Sequence, residues 1–339
     1  MMRLINLNTI VFFLALWSCD TPNNVEPTYE RYFTKYYGSD GEQEGVDIIR
    51  NDDGSMILLG NSFSQTNPIS PFIIKTDPMG NVIWQREFQN NNERAVDVEL
   101  VNGGSQLAVL SNVQRGTTNI CIYLLGQDGN LIDSLYIDEP INQVAKSISQ
   151  ASDNGFLITG YKDPDPARNP YLPPPDLADI LLLKVDSNLD LATDLSPGGG
   201  EHVGSGVKSF EVSFDDDIYY LVFGYSDRPR KEGSADYQMC FQLIASHTSG
   251  TPTGLQGVSA GEMSEEQVAS AAIKIPPAVG DGYLMIGTTS SGASSDLYLT
   301  RFGKLSGPLD AKPIFDSKIP IGARIEGISA ANVSPDGYF

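Results

Sequence analysis

The sequence predicts an all-β fold, a β-propeller of four-stranded antiparallel blades. Its 339 residues contain many short, β-branched apolar runs, each bounded by Gly, Asp, Asn or Pro. Runs of this kind are typical of strands rather than helices. Four such runs form a unit that recurs about every 50 residues, a period typical of propeller blades. We therefore expect five complete blades and a partial sixth, from a ring of roughly six to eight blades.

The first unit, residues 45–88, shows the pattern most clearly. Its four apolar runs cover residues 46–49, 56–59, 72–75 and 82–88. The turns within the first pair and within the last pair carry Asp, Asn, Gly or Pro, which favour tight turns. The unit is therefore predicted to be a four-stranded antiparallel meander.

The same unit returns four more times, with longer loops in the third and fourth copies. Each copy has a small residue near the end of its second run: Gly60, Ser111, Gly160, Gly224 and Gly287. Within a propeller domain at 29–339, the blades are expected at about residues 40–89, 90–138, 139–200, 201–261 and 262–322, with a partial blade at 323–339. Because strand direction alternates, the loops that follow the second strands share one face of the propeller.

Residues 72–77 (FIIKTD) are followed by Gly80, Asn81 and Trp84, and residues 153–160 read DNGFLITG. This pattern resembles the propeller-like repeats of exported lipoproteins of Bacteroidota, in which D-G-G-Y-x-I-x-G precedes D-x-Y-L-I-K-T-D-x-x-G-N-x-x-W. The resemblance covers most of the chain. It implies a propeller fold, export and a place at the outer membrane or cell surface. It offers no catalytic residue that could be transferred.

The N-terminus predicts a lipoprotein signal peptide over residues 1–18. Arg3 supplies the positive charge, residues 10–16 supply the apolar stretch, and LWSC ends at Cys19 as a lipobox does. We expect Cys19 to be acylated and residues 19–28 to form a flexible tether. An ordinary signal peptide or a weak membrane anchor is the alternative.

The chain is strongly acidic, with 43 Asp and Glu against 22 Lys and Arg and a net charge of −21. Nucleic acids and anionic membrane surfaces are bound through basic patches. The composition therefore argues against binding either of them by charge, and the expected membrane contact is the lipid on Cys19. No motif indicates a cofactor.

Cys121 and Cys240 fall on the predicted third strands of the second and fourth blades. A whole blade separates them, which exceeds the roughly 7 Å between Cα atoms that a disulfide allows. We expect both to be free, buried thiols that pack as small apolar residues.

Both ends of the repeat region are irregular. Residues 29–37 match the end of a repeat, so we expect them to serve as the fourth strand of the last blade and to remove its open edge. Residues 328–339 match a first strand, a turn and the opening of a second strand. We expect the chain to be a piece of a longer propeller or a truncated reading frame.

Two long loops, residues 162–177 and 226–237, follow the second strands of the third and fourth blades. Loops on a rigid scaffold frequently carry recognition residues. The candidate ligand-binding residues in these loops are basic or aromatic: Arg168, Tyr171, Arg228, Arg230 and Lys231. Solvated, variable loops without a ligand are the alternative.

Residues 257–261 match the nucleophile elbow G-x-S-x-G, which needs a preceding strand, a following helix and a downstream histidine. Both histidines, His202 and His247, precede Ser259. The repeat spacing places this segment in the connection between the fourth and fifth blades. We do not expect catalysis there.

Asp186, Asn188 and Asp190 present alternating oxygen ligands, as a calcium loop does. However, Leu191 and Pro197 occupy the positions of the EF-hand glycine and bidentate glutamate. Asp186 also aligns with the turn aspartate of the first blade, which predicts that it caps a tight turn. Calcium is the weaker of these two hypotheses.

We expect a lipid-anchored, exported propeller that binds an envelope protein or a glycan, or serves as a scaffold, without catalysis. The alternative is a propeller hydrolase or lyase that acts on polysaccharide with carboxylates near the axis. Two or more carboxylates about 5–10 Å apart in the central channel would favour the enzyme. An axis lined by Ser, Ala and Val would favour binding or scaffolding.

Overall fold

The computed structural model describes residues 34–38, 41–63, 69–88, 92–163, 178–196, 204–227, 237–245, 255–260, 265–291, 294–305 and 313–323. The chain divides into two compact units, Met1–Tyr37 and Gly38–Phe339. Every described strand lies in the second unit. The described part of the first unit, residues 34–37, contains no strand, and residues 29–33 of the predicted closing strand lie outside the described residues.

Twenty strands form five four-stranded sheets within the described residues. The first blade has β1 (Glu42–Arg50), β2 (Met56–Phe63), β3 (Ser70–Thr76) and β4 (Val82–Glu87). The second has β5 (Glu93–Val101), β6 (Gln106–Arg115), β7 (Thr117–Gly126) and β8 (Leu131–Ile137). The third has β9 (Asn142–Gln150), β10 (Phe156–Asp163), β11 (Asp179–Val185) and β12 (Leu191–Asp194).

The fourth blade has β13 (Gly204–Phe214), β14 (Asp217–Ser226), β15 (Gln238–Ala245) and β16 (Leu255–Ala260). The fifth has β17 (Glu266–Ile275), β18 (Gly282–Ser291), β19 (Ser294–Phe302) and β20 (Pro313–Ala323), with a short 3-10 helix at Pro277–Val279. Strands in each sheet are adjacent in chain order and antiparallel. The predicted propeller of five such blades is confirmed, whereas residues 324–339 of the expected sixth lie outside the described residues.

The first strand of each blade is the innermost. β1 contacts β5, β5 contacts β9, β9 contacts β13, and β13 contacts β17. The outer strands β4, β8, β12 and β20 are largely exposed. This order places the five first strands around a common axis, as in other propellers.

The apolar core lies between successive blades rather than within one sheet. Ile57 of the first blade packs with Val98 of the second, and Phe223 of the fourth packs with Met285 of the fifth. The second and third blades, and the third and fourth, share similar clusters. The second, third and fourth blades are therefore covered on both faces, which explains why their central strands are nearly continuous apolar runs.

Each first strand contains a one-residue bulge opposite the small residue of its second strand. In the third blade, the bulge falls between Ala145 and Ser147 and faces Gly160. A Cβ at Gly160 would lie 1.9 Å from the Val144 carbonyl oxygen. A glycine is needed here because the bulged strand approaches too closely for a side chain.

The two thiols follow the sequence prediction. Cys121 lies on β7 and Cys240 on β15, and both are free and buried. Burial raises the pKa of each thiol to about 12. Both therefore stay protonated and unreactive at neutral pH.

No helix in the described part of the chain has the length and apolar character that a membrane crossing requires.

Candidate active site on the propeller axis

The residue that follows the bulge occupies the same place in each first strand, which we call the axial position. The five axial positions hold Asp47, Asp97, Ser147, Lys208 and Ala271. Because the first strands surround the axis, these side chains come from five different blades to one region. Three of these five residues, Asp47, Asp97 and Lys208, have ionisable side chains.

Two axial carboxylates make the same contact in successive blades. Asp47 Oδ2 accepts a hydrogen bond from the Val98 amide at 3.2 Å, and Asp97 Oδ2 accepts one from the Ile148 amide at 2.9 Å. Each bond joins one inner strand to the next. Asp97 also lies close enough to Asp47 for its charge to raise the pKa of Asp47.

Lys208 brings a positive charge from the fourth blade to the carboxylates of the second. Its Nζ donates to the Ile148 carbonyl at 2.6 Å and pairs with Asp97 Oδ2 at 3.1 Å and Glu99 Oε2 at 3.4 Å. The side chain passes the third blade to reach the second, which is possible because the inner strands converge. Asp47, Asp97, Glu99 and Lys208 are called the axial cluster below.

The electrostatics of the axial cluster set Asp47 apart. Burial, the charge of Asp97 and the hydrogen bond to Asp97 raise the pKa of Asp47 to about 7. The amides of Val98 and Ile48 oppose this rise without cancelling it. A carboxyl group with this pKa can still carry a proton at neutral pH, which makes Asp47 a candidate general acid.

Glu99 and Lys208 are held in different states. Burial raises the pKa of Glu99, with a contribution from Asp97, while the charge of Lys208 opposes the rise. For Lys208, burial lowers the pKa, but the charges of Asp97 and Glu99 outweigh it and the net pKa is raised. Lys208 therefore stays charged, and Glu99, whose pKa is raised mainly by burial, is a stronger base than a free glutamate.

Solvent reaches the axial cluster. The side chains of Asp97, Glu99 and Lys208 are 16%, 30% and 22% exposed. Asp97 and Glu99 are two residues apart on β5, so they share one face at a spacing of about 6.6 Å along the strand. The axis is therefore not lined by small side chains alone, and it carries several carboxylates in one region, as glycoside hydrolysis requires.

The sequence analysis missed these four residues. The pattern that could have found them is the repeated start of the first strand, with Asp47 after Gly45-Val46 and Lys208 after Gly206-Val207. Aligning the repeats column by column places an ionisable residue at this one position in three blades. This aligned position becomes recognisable as a site only when the bulge shows that its side chains belong to the axial region.

The predicted binding residues of the two long loops all lie outside the described residues: Arg168, Tyr171, Arg228, Arg230 and Lys231. The lipidation candidate Cys19 does so as well. The structure therefore leaves the loop-face binding site as a prediction.

Asp186 lies in a tight turn between β11 and β12. Its Oδ1 accepts hydrogen bonds from the amides of Asn188 and Asp190, each at 2.9 Å. The Asp190 amide is the main reason that the pKa of Asp186 lies below its usual value. Asp186 thus caps its turn as the sequence predicts. Among the residues that the structure describes, no group of three or more His, Cys, Asp or Glu side chains could hold a metal.

The prediction for the G-x-S-x-G segment is wrong in its location. Ser259 lies on β16, the fourth strand of the fourth blade, and its backbone pairs with that of Cys240. Residues 246–254 separate β15 from β16, so this strand begins later than the repeat spacing predicts. The next described element is the strand β17, whereas a nucleophile elbow is followed by a helix.

No protein-family model matches the sequence, and no curated protein is a significant match. Solved structures of similar architecture include α-L-arabinofuranosidases from Fusarium graminearum (9% identity, 77% of this chain and 81% of that chain, TM-score 0.44) and Lactobacillus brevis (10%, 80% and 93%, TM-score 0.42). A periplasmic gluconolactonase from Pseudomonas aeruginosa is also similar (9%, 80% and 85%, TM-score 0.42). At this identity and superposition, the likeness carries no conclusion about the reaction of this chain.

Proposed function

We propose that this propeller hydrolyses glycosidic bonds of a polysaccharide at the axial cluster. The observation that carries the proposal is a group of acids in contrasting environments. Asp97 and Glu99 lie 3.1 and 3.4 Å from the Lys208 ammonium, whereas burial and Asp97 raise the pKa of Asp47 to about 7. Neighbouring acids whose environments differ in this way are typical of acid–base sites.

In this proposal Asp47 is the general acid that protonates the leaving oxygen. Glu99, the more exposed of the two carboxylates that Lys208 contacts, supplies the second carboxylate that glycoside hydrolysis requires. Asp97 is a positioning residue, because it pairs with Lys208 and its charge acts on Asp47. Lys208 holds Asp97 and Glu99 in place without touching the substrate.

The other reading, a non-catalytic binding or scaffold module, predicts an axis of small side chains. Ser147 and Ala271 fit that description, but the other three axial positions do not. Binding of an envelope protein or glycan through the loop face stays a prediction.

The test measures release of reducing ends from a panel of polysaccharides and aryl glycosides. Asp47→Asn and Glu99→Gln are each expected to lower the rate about 10²–10⁴-fold, the usual contribution of general acid–base catalysis. Wild-type activity should fall as the pH rises through about 7, because Asp47 then loses its proton. Asp316→Asn, an exposed acid on β20, is the matched control and should act as wild type. Failure of the whole panel, or both variants within twofold of wild type and still folded by circular dichroism, contradicts the proposal.

We also propose that the protein is an exported lipoprotein held to a membrane by Cys19. The N-terminal sequence and the repeat resemblance support this placement. Cys19→Ser is expected to remove the acyl chains and to release the protein into the soluble fraction, because these chains are the proposed membrane anchor. Membrane fractionation and intact mass measure both effects. An unchanged mass and an unchanged membrane fraction would show that Cys19 is not the anchor.

A further inference from the structure

The first blade has an open face. In the first strands of the second to fifth blades, the residue after the axial position faces the preceding blade. In the second to fifth blades this residue is buried, as Val98 (3% exposed), Ile148 (0%), Ser209 (0%) and Ala272 (6%). Its counterpart in the first blade, Ile48, is 57% exposed. Among the described residues, nothing covers Ile48 as a preceding blade covers the other four.

The fifth blade is open on its opposite face. In the first blade, Ile57 (0% exposed) and Leu59 (2%) on the second strand pack against the following blade. Their counterparts on β18, Leu284 and Ile286, are only half-buried. The series of described blades therefore ends in two open apolar faces, one at each end.

The sequence contains a segment that fits between these faces. Residues 327–339 (GISAANVSPDGYF) align without a gap to residues 145–157 (AKSISQASDNGFL). Residues 145–157 run from the first strand of the third blade into its second strand. In this alignment Phe339 corresponds to Leu157, which is fully buried and packs against the following blade.

The repeat register gives Phe339 a specific partner. Leu157 corresponds to Ile57 in the first blade, and Ile57 packs in one cluster with Val98 of the second. The counterpart of Val98 in the first blade is Ile48. A phenylalanine at the Ile57 position of a further blade would therefore meet Ile48 and remove both side chains from water.

We propose that residues 327–339 begin a further blade that covers the open face of the first, with Phe339 packed on Ile48. These residues lie outside the described part of the chain, and the proposal rests on the two open faces and on the repeat register. It does not depend on the proposed catalytic function.

The test uses thiol labelling of Ile48→Cys in a Cys19→Ser background, where Cys121 and Cys240 are buried. In the full chain, labelling is expected to be at least tenfold slower than in a chain that ends at Ala323. Phe339→Ala in the full chain should raise the labelling rate as well, which keeps the test valid if the shortened chain does not fold. Met79→Cys, 54% exposed, is the control and should react equally in all forms.

Two outcomes overturn the proposal. One is rapid labelling of Ile48→Cys in the full, monomeric chain, unaffected by Phe339→Ala. The other is protection that depends on protein concentration and coincides with a dimer in size-exclusion chromatography with light scattering. That result would assign the open face to a second copy of the chain.

Discussion

Replacing Lys208 with methionine is expected to lower the free energy of unfolding by about 3 kcal/mol at pH 7, the low end of the range for removing one partner of a buried ion pair. The substitution keeps the aliphatic volume but leaves Asp97 and Glu99 without their cation. It also leaves the Ile148 carbonyl without the Nζ donor. Urea denaturation at pH 7 measures the loss.

The loss should depend on pH. Without Lys208, the charge that opposes the rise in the pKa of Glu99 is gone, so this pKa rises further and the folded variant binds more protons at mildly acidic pH. Its deficit relative to wild type therefore shrinks as the pH falls and grows as the pH rises. Lys304→Met is the control, because Lys304 is 77% exposed and lies 3.7 Å from Asp281, and surface pairs of this kind contribute little. Equal effects of the two substitutions would mean that the axial cluster adds nothing to stability.

Replacing Gly160 with alanine should be at least as damaging. The new Cβ would lie 1.9 Å from the Val144 carbonyl oxygen, and a backbone atom cannot rotate away as a side chain can. The bulged strand would have to move, which separates the inner strands of neighbouring blades. We expect a loss of about 3 kcal/mol, the upper part of the range for overpacking, measured by the urea midpoint.

Gly45→Ala provides the matched control on the first strand of the first blade. Nothing lies within 4 Å of a Cβ at Gly45, so the substitution should be neutral or stabilise by roughly 0.5–1 kcal/mol through lower chain entropy. The second blade carries Ser111 at the position of Gly160, where its hydroxyl binds the buried Glu93. A Gly160→Ala variant as stable as wild type would contradict the prediction. It would mean that the strands of the third blade can separate enough to accept a side chain, as those of the second blade do at Ser111.

The fold could be predicted because each strand is defined locally. The runs at residues 46–49, 56–59 and 72–75 fall within β1, β2 and β3, and the turns between them carry their own residue types. The misplaced strand β16 shows the limit of this approach. Its position depends on the length of the connection before it, and this length cannot be read from the average spacing of the repeats.

The axial cluster could not be predicted in the same way. With 43 acids in the chain, no pair stands out by type or spacing. Asp47 and Asp97 meet because a bulge shifts each first strand by one residue, and nothing in the strand sequence itself specifies that shift. Lys208 joins them from 111 residues away, a separation over which sequence patterns carry no distance information.

That separation also bears on how the chain folds. Each blade is a meander of neighbouring strands, so most of its contacts are local and form early. The link from Lys208 to Asp97 closes a loop that spans the third blade, and it requires the second, third and fourth blades to be docked first. We therefore expect its stabilisation to arise after the folding barrier and to act mainly by slowing unfolding. In this view the axial cluster lowers the unfolding rate, and so lengthens the lifetime of the native state, while the folding rate is little changed.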